Sequence, residues 1–326
     1  MKAFIYSSYG GPDALELADI EKPTPKSGEV LIKVAAASVN ARDWRLLAAE
    51  PFLVRLMGGG FLRPKYRSIG SDVAGVVEAT GPGATRFKIG DAVFGDISGG
   101  GFGGGGFAEY VCAAEAALTA KSEAMTFEEA AAIPMAAVTA LQGLRDAGRI
   151  QKGDRVAING ASGGVGSFAV QIAVALGAQV TAVCSTGKVD LVRSLGADEV
   201  VDYTAEDFTL AAGRYDLILA ANGFRPIRSY YRALKDGGRY VMAGGEASQL
   251  FQALILGPWL SRSGAKQLQA LTARPSAADL AFIAELVREG AVKPVIDRRY
   301  PLAELPAAIR YVQGGHAAGK VVVTME

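Results

Sequence analysis

Residues 155–176 read RVAINGASGGVGSFAVQIAVAL. A short apolar run ends at Asn159, glycines crowd positions 160, 163, 164 and 166, and an apolar stretch free of helix breakers comes next. The first run has the character of a strand covered on both faces, and the last that of a buried helix expected over 165–176. Strand, glycine turn and helix in that order are what a dinucleotide-binding site requires. Glycine lets the backbone turn tightly and approach a pyrophosphate, while the free N–H groups and positive end of the helix stabilise its charge. The candidate cofactor residues here are Gly160, Ser162, Gly163, Gly164, Val165 and Gly166. Their spacing departs from the usual G-x-G-x-x-G, so the flanking chain has to carry part of the reading.

Downstream, short β-branched or apolar runs at 155–159, 179–185, 199–202, 217–221 and 239–243 alternate with helical stretches that include 165–176 and 189–195. That is the βαβ texture of a parallel sheet. The second strand closes on Cys184-Ser185-Thr186-Gly187-Lys188. An acid at this point would accept hydrogen bonds from the adenosine ribose and exclude a 2′-phosphate. Instead the hydroxyls of Ser185 and Thr186 can donate to a phosphate and Lys188 can neutralise it, with no carboxylate before Asp190. The pattern favours NADP(H) over NAD(H).

Upstream, residues 1 to about 122 carry short strands at 3–6, 29–37, 72–79, 92–96 and 107–112, divided by Gly and Pro turns, and read as a compact antiparallel β unit. The glycine-rich run 98–106 reads as a flexible surface loop, because glycine costs the most entropy to order. The tail returns to mixed texture, with helices at 276–289 and 302–313, a strand-like stretch at 295–300 and a last strand at 320–324.

Composition narrows the function. With 326 residues, 50% hydrophobic, and a mean hydropathy of +0.22, the chain is globular and long enough for two domains. Lys plus Arg number 34 against 33 Asp plus Glu, so no net field draws the protein to nucleic acid. No apolar run reaches the roughly 18 residues of a membrane span, and the N-terminus lacks the apolar core of an export signal. Cys112, Cys184 and His316 are the only residues of their types, too few for a disulfide framework or a zinc site drawn from Cys and His. A reduced, cytoplasmic setting is expected. Cys184 reads as a small buried neighbour of the adenine pocket, and His316 as a surface residue.

Several segments in order resemble the medium-chain dehydrogenase/reductase superfamily, in its zinc-independent quinone oxidoreductase-like branch. They are ASVNARDW (37–44), GSDVAGVV (70–77), RFKIGDAV (86–93), GFAEY (106–110), AIP (132–134), Thr139-Ala140 and the turn 160–166. The resemblance implies an α/β protein with a GroES-like β domain over 1–125 and a Rossmann-type doubly wound parallel sheet domain over 126–274. It also implies that a return at 275–326 completes the first, with the active cleft between the two. Zinc-dependent relatives place a Cys in the segment matching 38–44 and a His-Glu pair after the glycine matching Gly70. Here there is no Cys, and Ser71-Asp72 stands in place of the pair, so no metal is expected. Without that Lewis acid, NADPH-dependent reduction of quinones or α,β-unsaturated carbonyls is the implied chemistry. The resemblance assigns Asn40 as a hydrogen-bond donor near the reacting carbonyl and Asp43 as a site-shaping or proton-network residue. It puts Thr139 on the nicotinamide side and Tyr203 beside the adenosine phosphate. Loops around 50–66 and 247–266 are expected to set the substrate, and relatives pair as homodimers through an edge strand, here within 265–273. Two further readings are an NADPH-binding redox sensor or structural relative with little turnover, and an enoyl-thioester reductase.

Overall fold

The structure is a computed structural model, and it describes residues 1–50, 52, 55, 60–99 and 103–325. The chain divides into two units: Met1–Met135 with Pro275–Arg288 and Pro294–Glu326, and Ala136–Arg274 with Glu289–Lys293.

The chain begins with β1 (Lys2–Tyr6), β2 (Leu15–Asp19), β3 (Glu29–Val39), α1 (Ala41–Ala48), β4 (Asp72–Thr80), β5 (Ala92–Asp96), β6 (Tyr110–Ala114), β7 (Leu118–Ala120), α2 (Phe127–Ala132) and α3 (Pro134–Gln142). It continues with β8 (Arg155–Asn159), α4 (Gly164–Ala175), β9 (Gln179–Cys184), α5 (Val189–Ser194), β10 (Glu199–Asp202), β11 (Tyr215–Ala220), α6 (Ile227–Ala233), β12 (Leu234–Met242), α7 (Ala247–Leu260) and β13 (Gln267–Ala270). The return consists of α8 (Ala277–Arg288), β14 (Ile296–Pro301), α9 (Leu305–Gln313) and β15 (Lys320–Thr324). No helix among the described residues is long and apolar enough to cross a membrane.

In the second unit, six parallel strands lie in the order β10-β9-β8-β11-β12-β13. This is the doubly wound order that reverses direction beside β8, and in such sheets ligands bind outside the carboxyl ends of the strands at that point. The strands expected from sequence are present. Strand β12 starts earlier than its apolar run suggests, at Leu234, because Lys235, Asp236, Gly237 and Gly238 hide the strand character behind polar and small residues. Val156, Ile158, Val180, Ala182, Leu217, Leu219 and Val241 have no exposure, as expected for strands covered on both faces.

The sheet of the first unit runs β14-β15-β3-β4-β5-β7, with β6 also on β3. Long β3 is its centre. Val30, Ile32 and Val34 pack with Val73, Val77, Val93 and Leu118, while Ala37 and Val39 join Phe4, Ile69, Phe107, Leu305, Ile309 and Val321. The pairs among β3, β4, β5, β6 and β7 are antiparallel, whereas β14 and β15 of the return pair in parallel because α9 makes the crossover between them. Strand register decides which polar residues become neighbours. Ser38 lies opposite Asp72 and Val39 opposite Val321, so the end of β3, the start of β4 and the start of β15 meet at one edge.

The glycine run also differs from its expectation as a loose loop. Residues 100–102 lie outside the described part, but 103–106 are packed against the Gly70 turn. The N–H groups of Gly105 and Gly106 both donate to Gly70 O at 3.0 Å, and a Cβ on Gly104 would sit 2.7 Å from that oxygen. Gly70 itself has φ +97, a conformation that side chains disfavour. Two backbones touch here, and glycine is what permits it. Of the two stretches expected to set the substrate, 50–66 is described only at 50, 52, 55 and 60–66, whereas 247–266 is chiefly the helix α7.

Candidate functional site

In the nucleotide unit, β8 ends at Asn159 and the chain turns at Gly160, whose φ is +82 and where a Cβ would lie 2.7 Å from Asn222 N. Gly163 in extended conformation caps α4. At Gly166 a Cβ would fall 2.0 Å from Gly160 O, so only glycine lets the first turn of the helix rest on the strand end. Ser162 lies in the turn itself, while Gly164, Val165 and Gly166 open the helix and their N–H groups have no carbonyl four residues back within it. A cradle that any Cβ would fill, next to unspent donors at a positive helix end, fits a pyrophosphate. Beneath it, Asn159 Nδ2 donates to Tyr230 Oη at 2.8 Å, and Gln249 Nε2 donates to Tyr240 Oη at 2.7 Å. These buried bonds stiffen the strand ends that carry the turn.

Past β9, Ser185 is half-buried, and Lys188 makes no ion pair among the described residues. Thr186 follows at the exposed turn after β9. Its Oγ1 donates to Asp202 Oδ2 at 2.5 Å, and Thr204 Oγ1 donates to Asp202 Oδ1 at 2.7 Å. These hydroxyls, Thr186 first, hold the Asp202 carboxyl below its ordinary range. Counting along the chain finds no carboxylate before Asp190, yet the parallel pairing of β10 with β9 sets Asp202 opposite Cys184 and so beside Thr186. The single proton of that hydroxyl is therefore committed to a carboxylate. Tyr203 is 47% exposed at the end of β10, with its N–H donating to Cys184 O at 3.0 Å. Cys184 is buried, and burial pushes its thiol up, which makes it the packing residue expected from sequence. Thr139 lies on α3, nearly buried. His316 is exposed.

The first unit holds a buried polar cluster. Asn40 ends β3 and precedes α1, and its N–H donates to Asp43 Oδ2 at 2.7 Å, half of a capping box at the helix start. The other Asp43 oxygen accepts the Gly70 N–H at 3.3 Å, so this fully buried carboxyl ties α1 to the glycine turn. Burial raises its pKa, against the hydrogen bonds from Asn40 and Gly70. The Asn40 amide is gripped at both ends. Nδ2 donates to Asp72 Oδ2 at 2.9 Å and makes a long 3.4 Å contact to Ser38 O, while Oδ1 accepts from Lys320 Nζ at 2.5 Å. Asp72 also accepts from Ser38 Oγ at 3.0 Å and from the Met135 N–H at 3.1 Å, and lies 3.5 Å from Lys320 Nζ. Burial pushes the Asp72 carboxyl up to about 6 against the pull of Lys320, with Asp96 on the opposite strand adding to the rise. Burial likewise lowers Lys320, against the same carboxylates. Arg42 Nη1 donates to Ser71 Oγ at 2.5 Å and Nη2 to Gly103 O at 3.1 Å, which fastens the glycine run to the same corner.

Sequence reasoning finds Asn40 and Asp43 but misses Asp72 as a buried anion, Lys320, and Asp202. Lys320 opens the run KVVVT and reads as a solvated strand start; only the position of β15 between β14 and β3 buries it. Among the described residues no three His, Cys, Asp or Glu side chains form a group that could hold a metal ion. The Asp72 oxygens are spent on neutral donors and an ammonium, a donor set that does not fit zinc.

Residues 26–123 match the family model described as alcohol dehydrogenase GroES-like domain, and 195–323 match that described as zinc-binding dehydrogenase. Over 99% of its length, the chain is 37% identical to the chloroplast envelope quinone oxidoreductase homolog of Arabidopsis thaliana, covering 98% of that protein. It is 33% identical to the NADPH-dependent alkenal/one oxidoreductase of the same plant, over 99% of this chain and 79% of the relative. The solved structure of the quinone oxidoreductase from Coxiella burnetii superposes with a TM-score of 0.88 at 29% identity, covering 100% of this chain and 99% of that one. With the GroES-like sheet, the doubly wound sheet and full-length identity above 30%, the chain belongs to the medium-chain dehydrogenase/reductase superfamily, in its quinone oxidoreductase-like branch.

Proposed function

We infer that the protein is an NADPH-dependent, zinc-independent reductase of quinones or α,β-unsaturated carbonyl compounds. The observation that carries this reading is the Gly160–Gly166 cradle on a chain whose full-length relatives are named for quinone and alkenal/one reduction. The turn residues Ser162, Gly164, Val165 and Gly166 bind the pyrophosphate through backbone N–H groups, while Gly160 and Gly163, whose N–H groups donate to Val183 O and Gly160 O, shape the turn and leave room for it. Ser185 and Lys188 take the 2′-phosphate, Tyr203 flanks it, and Thr139 contacts the nicotinamide side. Thr186 supports this edge through Asp202. When bound, NADPH would supply a hydride to an electron-poor carbon or a quinone oxygen and leave as NADP⁺, and solvent or a polar residue would supply the proton that completes the reduction. Asn40 donates a hydrogen bond to the oxygen on which negative charge develops, and Asp43 fixes the helix start that carries Asn40. A polarised alkene or quinone is electrophilic enough that no metal is required.

The working form is a homodimer. Among the described residues, strand β13 closes the parallel sheet with one side unpaired, and the adjoining α7 leaves Phe251, Leu254, Ile255 and Trp259 more than half exposed. An open strand edge beside an apolar helix face is a surface that a second copy buries. The two cysteines are free, in accord with a reducing, cytoplasmic setting.

Oxidation of NADPH and NADH, followed by loss of the reduced-nicotinamide absorbance, tests the reading. Substrates are a quinone, a 2-alkenal, an enone, an enoyl thioester and a simple ketone, each with and without a chelator. Quinone or enone turnover with NADPH, unaffected by chelator, is expected. Chelator-sensitive ketone reduction or a preference for NADH overturns the metal or the cofactor assignment. Preference for the thioester moves the substrate class, and binding without turnover identifies a sensor.

A further inference from the structure

We propose that Lys320 is a positioning residue that holds the Asn40 amide in one of its two flip states, with Asp72 as its counterpart. The inference rests on the proposed reduction, in which Asn40 meets the substrate oxygen.

Lys320 is 3% exposed, and its ammonium faces three oxygens: Asn40 Oδ1 at 2.5 Å, Val39 O at 3.4 Å and Asp72 Oδ2 at 3.5 Å. Three donors thus meet three acceptors. A buried ion pair is a poor device for stability alone, because an apolar residue of similar volume serves as well or better. Its geometry accounts for it here. An asparagine amide is nearly symmetric in shape, so packing does not distinguish its oxygen from its nitrogen; only the neighbours' hydrogen-bonding character does. Lys320 can only donate, and ionised Asp72 can only accept. With the amide flipped, NH₂ would face the ammonium and the carbonyl would face the carboxylate, two repulsions that burial leaves weakly screened. The observed state gives one Nδ2 hydrogen to Asp72 and leaves the other only the long 3.4 Å contact to Ser38 O. That second hydrogen is what the amide has left to offer a substrate oxygen. Lys320 does not touch the substrate in this scheme; it acts through Asn40.

The test uses Lys320→Met, which keeps the length of the side chain without its charge, together with Lys320→Arg, Asn40→Ala and the double variants Lys320→Met/Asn40→Ala and Lys320→Met/Asp72→Asn. Lys320→Met is expected to lower kcat for enone or quinone by about 10- to 100-fold, with KM for NADPH within about 2-fold. In the Asn40→Ala background the same change should cost less than about 2-fold more. Lys320→Met/Asp72→Asn removes the stranded carboxylate and should recover Tm but not kcat, and Lys320→Arg should recover part of kcat. Recovery of kcat along with Tm in that double variant means a purely structural lysine and overturns the proposal. So does a full additional loss in the Asn40→Ala background. An arm independent of turnover tracks the Asn40 side-chain amide by NMR with labelled asparagine, its signals identified by their loss in Asn40→Ala. Two exchange-protected N–H signals that shift towards the positions of an exposed asparagine and lose protection in Lys320→Met support the orientation, and signals unchanged by the substitution overturn it. If the wild-type chain turns over none of the substrates, the reductase reading fails, and the NMR arm still decides the orientation.

Discussion

The nucleotide turn and the buried cluster at the end of β3 solve the same problem, holding polar groups in fixed places, by opposite means. The turn uses backbone. Seven consecutive residues make it, and what qualifies them is the absence of side chains at Gly160 and Gly166. The cluster uses side chains, Ser38 and Asn40 from β3, Asp72 from β4 and Lys320 from β15, brought together by strand register. A backbone site tolerates no added atoms but has no charge to lose. A side-chain site tolerates change in shape but is damaged when one member of a charge pair goes.

The loss of one charge partner carries the largest expected effect. Asp72→Ala leaves the Lys320 ammonium buried without its counter-ion, and stability should fall by about 3–5 kcal/mol in urea unfolding. A loss under about 1 kcal/mol would show that the cluster admits water and is not closed as described. On the backbone side, Gly166→Ala forces a methyl against Gly160 O, and NADPH affinity measured by fluorescence titration should drop about 100-fold. Wild-type affinity in that variant would break the contrast between the two sites.

The side-chain site alone should respond to mild acid. Because the Asp72 carboxyl rises from 3.8 to about 6 on folding, the folded state binds the extra proton between those values. Its contribution is full below 3.8 and lost as pH rises through about 6, so the stability difference between wild type and Asp72→Asn should decline by at most about 3 kcal/mol over that window. A difference independent of pH from about 4 to about 7 contradicts the raised value. At the cofactor edge, Lys188→Ala should raise KM for NADPH about tenfold and leave that for NADH unchanged, whereas equal changes for both would remove Lys188 from the 2′-phosphate. The smallest effect is assigned to Asp202→Asn, which removes the negative charge beside the Thr186 hydroxyl. The ratio of NADPH to NADH efficiency should rise about threefold, and a fall would mean that Asp202 serves the phosphate indirectly.

The same contrast governs what can be read before the structure is known. The strand, turn and helix at 155–176 are local, so glycine chemistry and an unbroken apolar run suffice to locate them. The sixth strand, β13, is short and half-polar, and is legible only as an edge expected within 265–273. In the cluster, Asn40 and Asp43 are visible through the resemblance carried by ASVNARDW, and the structure adds that they form a capping box at the start of α1. Nothing near Lys320 announces that a lysine will be buried, since its partners are 248 and 280 residues away. The glycine run 103–106 misleads for a related reason. Composition alone suggests freedom, and only the Gly70 backbone across from it shows that the glycines are there for contact.

The bond between Asn40 and Lys320 also sets an order of events at the ribosome. At roughly 5–20 residues per second, Lys320 is added tens of seconds after Asn40. All six strands of the nucleotide sheet have been made by then, for β13 ends at Ala270. During that interval Asn40 and Asp72 wait on a sheet that still lacks β14 and β15, with a carboxylate whose counter-ion has not been synthesised. The nascent protein therefore has every strand of its parallel sheet well before it has the last member of the buried cluster in the other unit.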